Sequence, residues 1–130
     1  MKIFLFIVLL LIGGQAWTQE NLVPDPSFEE YKRCPSHILQ SPDKLHLKFW
    51  YSPTGGTTDY YNHCGIKQSV LVPKNIHGHQ LARTGNGYIG LTGSPTWYEY
   101  VSTKLRAPLK KDSLYYVEFW VNLAEVSGKA

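Results

Sequence analysis

Alternation of apolar and polar side chains is clearest late in the chain, between Leu114 and Leu123. In this segment every odd-numbered position is apolar or aromatic, whereas the even-numbered positions carry a mixed set of side chains. Successive side chains of a β-strand point to opposite faces of the sheet, so a period of two indicates a strand rather than a helix. The pattern therefore predicts a strand over Leu114–Leu123.

Several other segments have β-type patterns. They are Asn21–Tyr31, Lys67–Val72, Tyr88–Leu91 and Trp97–Leu105. The segment Trp97–Leu105 is rich in aromatic and β-branched residues, and we expect it to pair antiparallel with Leu114–Leu123 across the polar turn Pro108–Ser113. Thr84–Gly87 predicts a turn, because Gly adopts positive φ without steric cost. No segment combines a helical stripe with capping residues, so the sequence predicts an all-β protein.

The first 18 residues have the pattern of a secretory signal peptide. Lys2 supplies the positive charge, Ile3–Ile12 supplies an apolar run, and Ala16 and Thr18 are the small residues before cleavage. A run of about 10 residues is shorter than the roughly 20 that a membrane-spanning helix needs. We therefore predict a signal peptide over 1–18, a mature domain over 19–130 without a transmembrane helix, and export to the periplasm, the outer membrane or the extracellular space.

The chain contains two cysteines, Cys34 and Cys64, and both lie in polar, loop-like surroundings. In an oxidising compartment such a pair most simply forms a disulfide, and closing a loop of this length stabilises a domain by roughly 3 to 4 kcal/mol. No CxxC motif accompanies them, which argues against a zinc site.

Composition narrows the class of partner. Loss of Lys2 with the signal peptide leaves 12 basic and 10 acidic residues, a net charge of +2, with no block of like charge. Because a nucleic-acid surface needs clustered Lys and Arg, we expect no nucleic-acid partner. Nine Tyr and four Trp are a high aromatic content. Such side chains suit a sugar-binding surface, and they equally suit the edge of a small sandwich core.

Glycan-binding sites combine exposed aromatic rings with planar polar groups. The candidate ligand-binding residues are Trp50, Tyr51, Tyr60, Tyr61, Asn62, Arg83, Trp97 and Tyr98. Core packing is the alternative for Trp50, and burial and binding stay equally open for Trp97. Glu99 and Glu118 are the carboxylates that a glycosidase would need, but common hydrolase motifs are absent from the sequence, and we expect a chain that is not an enzyme.

Several pieces of the chain, taken in order, resemble a known type of module. The pieces are residues 21–29, Trp50 with 53–60, 72–75, 82–90, 98–101, 115–119 and 127–128. Their order is similar to that of the jelly-roll, galactose-binding-like (carbohydrate-binding-module-like) N-terminal domain of secreted Bacteroidetes envelope proteins. Such domains often stand ahead of an OmpA-like peptidoglycan-binding domain or a sorting domain. The resemblance covers nearly all of the predicted mature chain.

The resemblance implies a jelly-roll β-sandwich of eight or more strands, whose later strands would follow Ala130. It also implies a structural calcium, for which Glu29 matches the first-strand ligand position; the alternative for Glu29 is a solvent-facing strand carboxylate. The expected function is an exported, non-catalytic module that binds a cell-envelope or extracellular glycan, as the N-terminal part of a larger surface protein. The alternatives are a structural or interaction spacer and, more distantly, a glycosidase fragment.

Overall fold

The computed structural model describes residues 20–38 and 45–126. The predicted signal peptide and its cleavage site lie outside the described residues. Eight short strands follow one another in this part of the chain: β1 (Trp50–Tyr51), β2 (Asp59–Asn62), β3 (Lys74–Asn75), β4 (Gly78–His79), β5 (Gly87–Gly90), β6 (Gly93–Ser94), β7 (Trp97–Tyr98) and β8 (Ser102–Thr103). One 3₁₀ turn, Gln68–Val70, lies between β2 and β3. The chain is therefore strand-rich with almost no helix, as the sequence predicts.

The strands form four two-stranded antiparallel sheets, β1 with β8, β2 with β5, β3 with β4, and β6 with β7. The ladder of β2 and β5 is the most extensive of the four, and it pairs Tyr60 with Ile89 and Tyr61 with Tyr88. An isolated bridge between Tyr31 and Leu47 adds one further antiparallel contact. The architecture is a set of small antiparallel sheets. It agrees with the predicted all-β class, and it does not establish the predicted jelly-roll sandwich.

The core lies on both faces of β2. Consecutive side chains of a strand point to opposite faces, so Tyr60 and Tyr61 enter separate clusters. Tyr60 packs with Leu45 and Leu47, while Tyr61 packs with Val70 and Val72. The rings of Tyr61 and Tyr88 stack with their centroids 5.2 Å apart. All four residues of β2 are consequently buried.

The disulfide prediction is confirmed. Cys34 and Cys64 are bonded, with their Cα atoms 5.6 Å apart. Two backbone hydrogen bonds surround the bridge, since the Ile66 N–H donates to the Pro35 carbonyl (2.9 Å) and the Gly65 N–H donates to the Asn62 carbonyl (2.9 Å). The bridge therefore fastens the irregular segment around Cys34 to the end of β2.

The predicted first strand is wrong. Residues 21–30 form turns rather than a strand, and Asp25 and Phe28 have positive φ values of 45° and 59°. The Asp25 carboxylate accepts hydrogen bonds from the backbone N–H groups of Glu29 (2.8 Å) and Glu30 (3.0 Å). Short side chains such as Asp offer the backbone local partners that compete with strand pairing, and here they close a turn.

Two other strand predictions fail for different reasons. Lys67–Val72 contains the 3₁₀ turn instead of a strand, and the fully buried side chain of Val70 belongs to the core cluster. Trp97–Leu105 is broken into β7 and β8, because β7 folds back on β6 while β8 pairs with β1. A continuous strand would require one partner along its whole length, and the chain supplies two partners.

The segment Leu114–Leu123, which has the clearest alternation, forms no strand, and its expected pairing with Trp97–Leu105 is absent. Its side chains are exposed, including Val117 at 80% and Val121 at 84%. No other described segment forms a ladder with it. Three of its side chains contact residues outside the segment. The Tyr115 hydroxyl accepts a hydrogen bond from the Lys110 N–H (2.6 Å). The Trp120 ring lies under the Arg83 guanidinium, and Asn122 bonds Gln80. The remaining apolar positions of the alternation, Val117, Phe119, Val121 and Leu123, are thus exposed to solvent.

Candidate functional site

The exposed aromatic residues Trp97 and Tyr98 lie together on the hairpin of β6 and β7. Gly93 pairs with Tyr98 and Ser94 pairs with Trp97, so Pro95 and Thr96 form the two-residue turn. Proline presets φ for such a turn. Trp97 is 47% exposed and Tyr98 is 58% exposed. Because consecutive side chains of a strand point to opposite faces, the hairpin displays one aromatic side chain to solvent on each face.

A shallow depression adjoins this pair. It is lined by Gly93, Ser94, Pro95 and Tyr98, and no Asp, Glu, Lys, Arg or His is among these residues. Of these four residues, Tyr98 supplies the aromatic ring of the lining. Such a surface offers a flat contact to an uncharged ligand.

Trp50 has a structural role in this arrangement. Its indole N–H donates a hydrogen bond of 2.9 Å to the Asp25 carbonyl, and its ring lies 5.0 Å from that of Phe28. The side chain is half-buried and packs against the cluster around Tyr60. Tyr51, the next residue of β1, is exposed on the surface. The structure thus favours core packing for Trp50 and leaves Tyr51 accessible.

Tyr60 and Asn62 are buried and hydrogen-bonded within the protein. The Tyr60 hydroxyl donates to the Phe28 carbonyl (2.8 Å) and accepts from the Asn62 side-chain amide (2.7 Å). The Asn62 side-chain oxygen accepts from the Cys64 N–H (2.9 Å). Burial raises the pKa of Tyr60 well above its ordinary value. Both side chains, and that of the buried Tyr61, serve the fold and present no surface to a ligand.

Arg83 is exposed, and its guanidinium lies 4.1 Å from the centre of the Trp120 ring. Cation–π contacts of this kind are favourable even at exposed sites. The cation–π partner of Arg83 therefore lies in the segment that follows β8.

Glu29 fastens the turn at residues 84–87. Its carboxylate accepts hydrogen bonds from the Asn86 N–H (2.6 Å), the Asn86 side-chain amide (2.9 Å) and the Gly87 N–H (3.1 Å). The hydroxyls of Ser27 and Thr84 bond beside it at 2.7 Å. Among residues 20–38 and 45–126, no group of three or more His, Cys, Asp or Glu side chains is arranged to hold a metal ion. Calcium at Glu29 stays a prediction from the resemblance.

The two carboxylates considered for catalysis occupy different environments. Glu99 is 7% exposed and accepts three hydrogen bonds, from the Thr57 N–H (3.1 Å), the Thr57 hydroxyl (2.7 Å) and the Thr92 N–H (2.8 Å). Glu118 is exposed and accepts a hydrogen bond of 2.7 Å from the Tyr116 hydroxyl, which raises the pKa of Tyr116. Glu99 thus lies at the base of the hairpin of β6 and β7. The sequence alone did not indicate this structural role.

Sequence reasoning also missed Asp25. The side chain closes the turn that replaces the first strand, and its carbonyl receives the Trp50 indole. The signal was present in the run Pro24-Asp25-Pro26, because Asp between prolines favours a local turn over an extended strand. This residue links the N-terminal segment to β1.

Comparison of the chain with protein families, with curated proteins and with solved structures finds no match. Within residues 20–38 and 45–126, no helix has the length and apolar character that crossing a membrane requires. The disulfide is compatible with an exported protein.

Proposed function

We propose that the chain is an exported, non-catalytic module that binds a cell-envelope or extracellular glycan, in a β-sandwich of the jelly-roll type. The binding face is the hairpin Gly93–Tyr98. One observation carries the proposal: Trp97 and Tyr98 are consecutive residues of β7, both are about half exposed on opposite faces of the hairpin, and Tyr98 lines an uncharged depression.

The chemistry of sugars supports this assignment. Pyranose rings present C–H faces that pack on aromatic rings, and their hydroxyls bond nearby polar groups. The hairpin supplies aromatic surface from Trp97 and Tyr98 and hydroxyls from Ser94 and Thr96. Because no Asp, Glu, Lys, Arg or His side chain lines the depression, a neutral polysaccharide fits it better than an acidic one.

A binding assay with a matched variant tests the proposal. Trp97→Ala removes the ring that we assign to the ligand, whereas Phe49→Ala removes a ring of nearly equal exposure, 46%, on another part of the surface. The probes are insoluble peptidoglycan, cellulose and chitin in pull-down assays, together with an array of soluble glycans. We expect the wild-type chain and Phe49→Ala to bind alike and Trp97→Ala to lose binding by about tenfold or more, the effect of losing one stacked anchor.

Two results would count against the hairpin. Binding that is equally strong in Trp97→Ala would move the site elsewhere on the surface. Failure of the oxidised wild-type chain to bind any of these polysaccharides would remove glycan recognition as the function.

A second candidate function, a structural or interaction module, is favoured by the exposed segment Leu114–Leu123. Monomeric proteins rarely leave an apolar face of this extent open to water. Sedimentation velocity tests this alternative with the double variant Val117→Asp, Val121→Asp, and with Ile66→Asp as a control at an isolated, 71% exposed side chain. Two results together would favour the alternative. The first is self-association of the wild-type chain that the double variant abolishes and Ile66→Asp does not. The second is Trp fluorescence that does not change on addition of any saccharide.

A further inference from the structure

The hairpin of β6 and β7 is closed at its base by a single carboxylate. Glu99 directly follows β7, and Thr92 directly precedes β6. The Glu99 N–H donates to the Thr92 carbonyl (3.1 Å), while the Thr92 N–H donates back to the Glu99 side chain (2.8 Å). Both ends of the hairpin are therefore held by the same residue.

The same carboxylate connects the hairpin to the core. Its other oxygen accepts from the N–H and the hydroxyl of Thr57, and the hydroxyl of Thr58 donates to the Tyr100 carbonyl at 2.8 Å. Thr58 directly precedes Asp59, the first residue of the buried strand β2. Consequently, the base of the hairpin is tied to the most buried element of the described chain.

The chemistry of this contact requires a carboxylate. Its three partners are all donors, and two of them are backbone N–H groups that have no other role to adopt. After Glu99→Gln, the side chain has one acceptor oxygen and one NH2 group. Whichever way that amide is turned, either the Thr57 or the Thr92 N–H loses its acceptor. That N–H group would instead face the NH2 group of the glutamine, another donor, so the base of the hairpin should open.

We infer that Glu99 is the positioning residue of the glycan-binding hairpin. It contacts no ligand and acts by holding the strands that carry Trp97 and Tyr98 in one orientation on the core. This inference rests on the proposed function, since an ordered hairpin aids binding by reducing the entropy that is lost when a ligand is captured.

Hydrogen exchange of the full chain without ligand tests the structural half of the inference. In Glu99→Gln, the amides of residues 93–98 should exchange about tenfold faster, whereas those of β2 should keep their wild-type protection. Glu29→Gln is the matched control, because that carboxylate also accepts three hydrogen bonds. It should accelerate exchange only in the turn 84–87. Unchanged exchange in residues 93–98 of Glu99→Gln overturns the inference.

The functional half of the inference is tested by measuring affinity for whichever polysaccharide binds the wild-type chain in the assays above. Glu99→Gln should weaken binding by about tenfold at a temperature where β2 remains protected, because the free hairpin is no longer ordered in the binding orientation. Glu125→Gln, in which the altered carboxylate accepts the His79 N–H far along the chain, should bind as the wild type does. A looser hairpin with unchanged affinity overturns the positioning role. If the wild type binds no polysaccharide, the proposed function is wrong. The hydrogen-exchange result, measured without ligand, still shows whether Glu99 orders the hairpin, so the two failures are distinguishable.

Discussion

Strand β2 and the segment Leu114–Leu123 have opposite fates in the folded chain. The four residues of β2 are Asp-Tyr-Tyr-Asn, a modestly apolar run, yet all four are buried. The later segment has the stronger apolar pattern, yet it is exposed and forms no ladder. Strand β2 gains a partner from β5 and a cluster on each face, whereas the segment gains none of these. Alternation thus indicates which side chains favour burial, and the available partners determine which become buried.

The two regions also differ in how their polar groups are satisfied. Around β2, hydroxyls and amides bond to one another, as in the contact between Tyr60 and Asn62. No buried side-chain nitrogen or oxygen in the described part of the chain lacks a hydrogen-bond partner. Such complete pairing offsets the cost of burying polar atoms. In the later segment, polar groups remain in contact with solvent and require no such pairing.

Truncation of one tyrosine in each region gives the largest expected contrast. Tyr61→Ala should destabilise the protein by about 3 to 5 kcal/mol, because it removes a buried ring from the second cluster. Tyr116→Ala, at a 73% exposed side chain, should change stability by less than about 0.5 kcal/mol. Urea denaturation followed by far-ultraviolet circular dichroism measures both. A similar loss in the two variants would mean that Leu114–Leu123 is packed in solution.

Removing the disulfide should destabilise the core around β2 and leave the exposed segment Leu114–Leu123 unchanged. The double variant Cys34→Ser, Cys64→Ser opens a bridge with a sequence separation of 30, and the expected loss is about 3 to 4 kcal/mol. The bridge is adjacent to the end of β2, so exchange of the β2 amides should accelerate with the global loss. Exchange in residues 114–123 should already be rapid in the wild type. Wild-type stability in the reduced chain would contradict this prediction.

A glycine substitution tests how tightly β5 packs on β2. A Cβ atom at Gly87 would lie 2.9 Å from the Tyr60 ring and 2.9 Å from the Tyr61 carbonyl oxygen, so Gly87→Ala should destabilise by about 1 to 3 kcal/mol. Gly55→Ala is the matched control, because nothing lies within 4 Å of its added methyl group. Equal thermal unfolding midpoints for the two variants would show that the ladder tolerates expansion.

Alkaline pH should act on the buried tyrosines. Burial raises the pKa of Tyr60, of Tyr61 and of Tyr88, while the unfolded chain ionises near the ordinary value of 10. The stability that these groups contribute is therefore fully present below pH 10. It falls as the pH rises towards the folded-state pKa values, by about one proton per buried group.

The measurement is the thermal midpoint between pH 8 and pH 11. Tyr88→Phe should make the fall of the midpoint with pH less steep, because phenylalanine does not ionise. Tyr51→Phe, at an exposed position of β1, provides the comparison. An identical slope in wild type and Tyr88→Phe would contradict the assignment of Tyr88 to the alkaline transition.

Sequence reasoning succeeded where local chemistry is decisive. The disulfide was predicted from two cysteines and a predicted export signal, and the turn at 84–87 was predicted from its glycines, one of which has a φ of 67°. The sequence indicated Trp97 and Tyr98 as candidates beside a Gly-Ser-Pro turn but left burial and binding equally open for Trp97, and in the fold both side chains are exposed. Placing Tyr60 and Asn62 on a ligand-binding loop did not anticipate their burial. Their polar atoms suggested a surface, whereas in the fold these atoms bond one another.

The chain by itself determined the β-type character, the bridge between Cys34 and Cys64, and the small turns, because each depends on residues whose preferences are local or whose pairing has one choice. Tertiary structure decided which apolar segment became core, which carboxylate closed the aromatic hairpin, and why Leu114–Leu123 stayed unpaired. These outcomes depend on the partners that other segments bring to each position. A strand needs a neighbouring backbone and a covering face, and no pattern within ten residues specifies either.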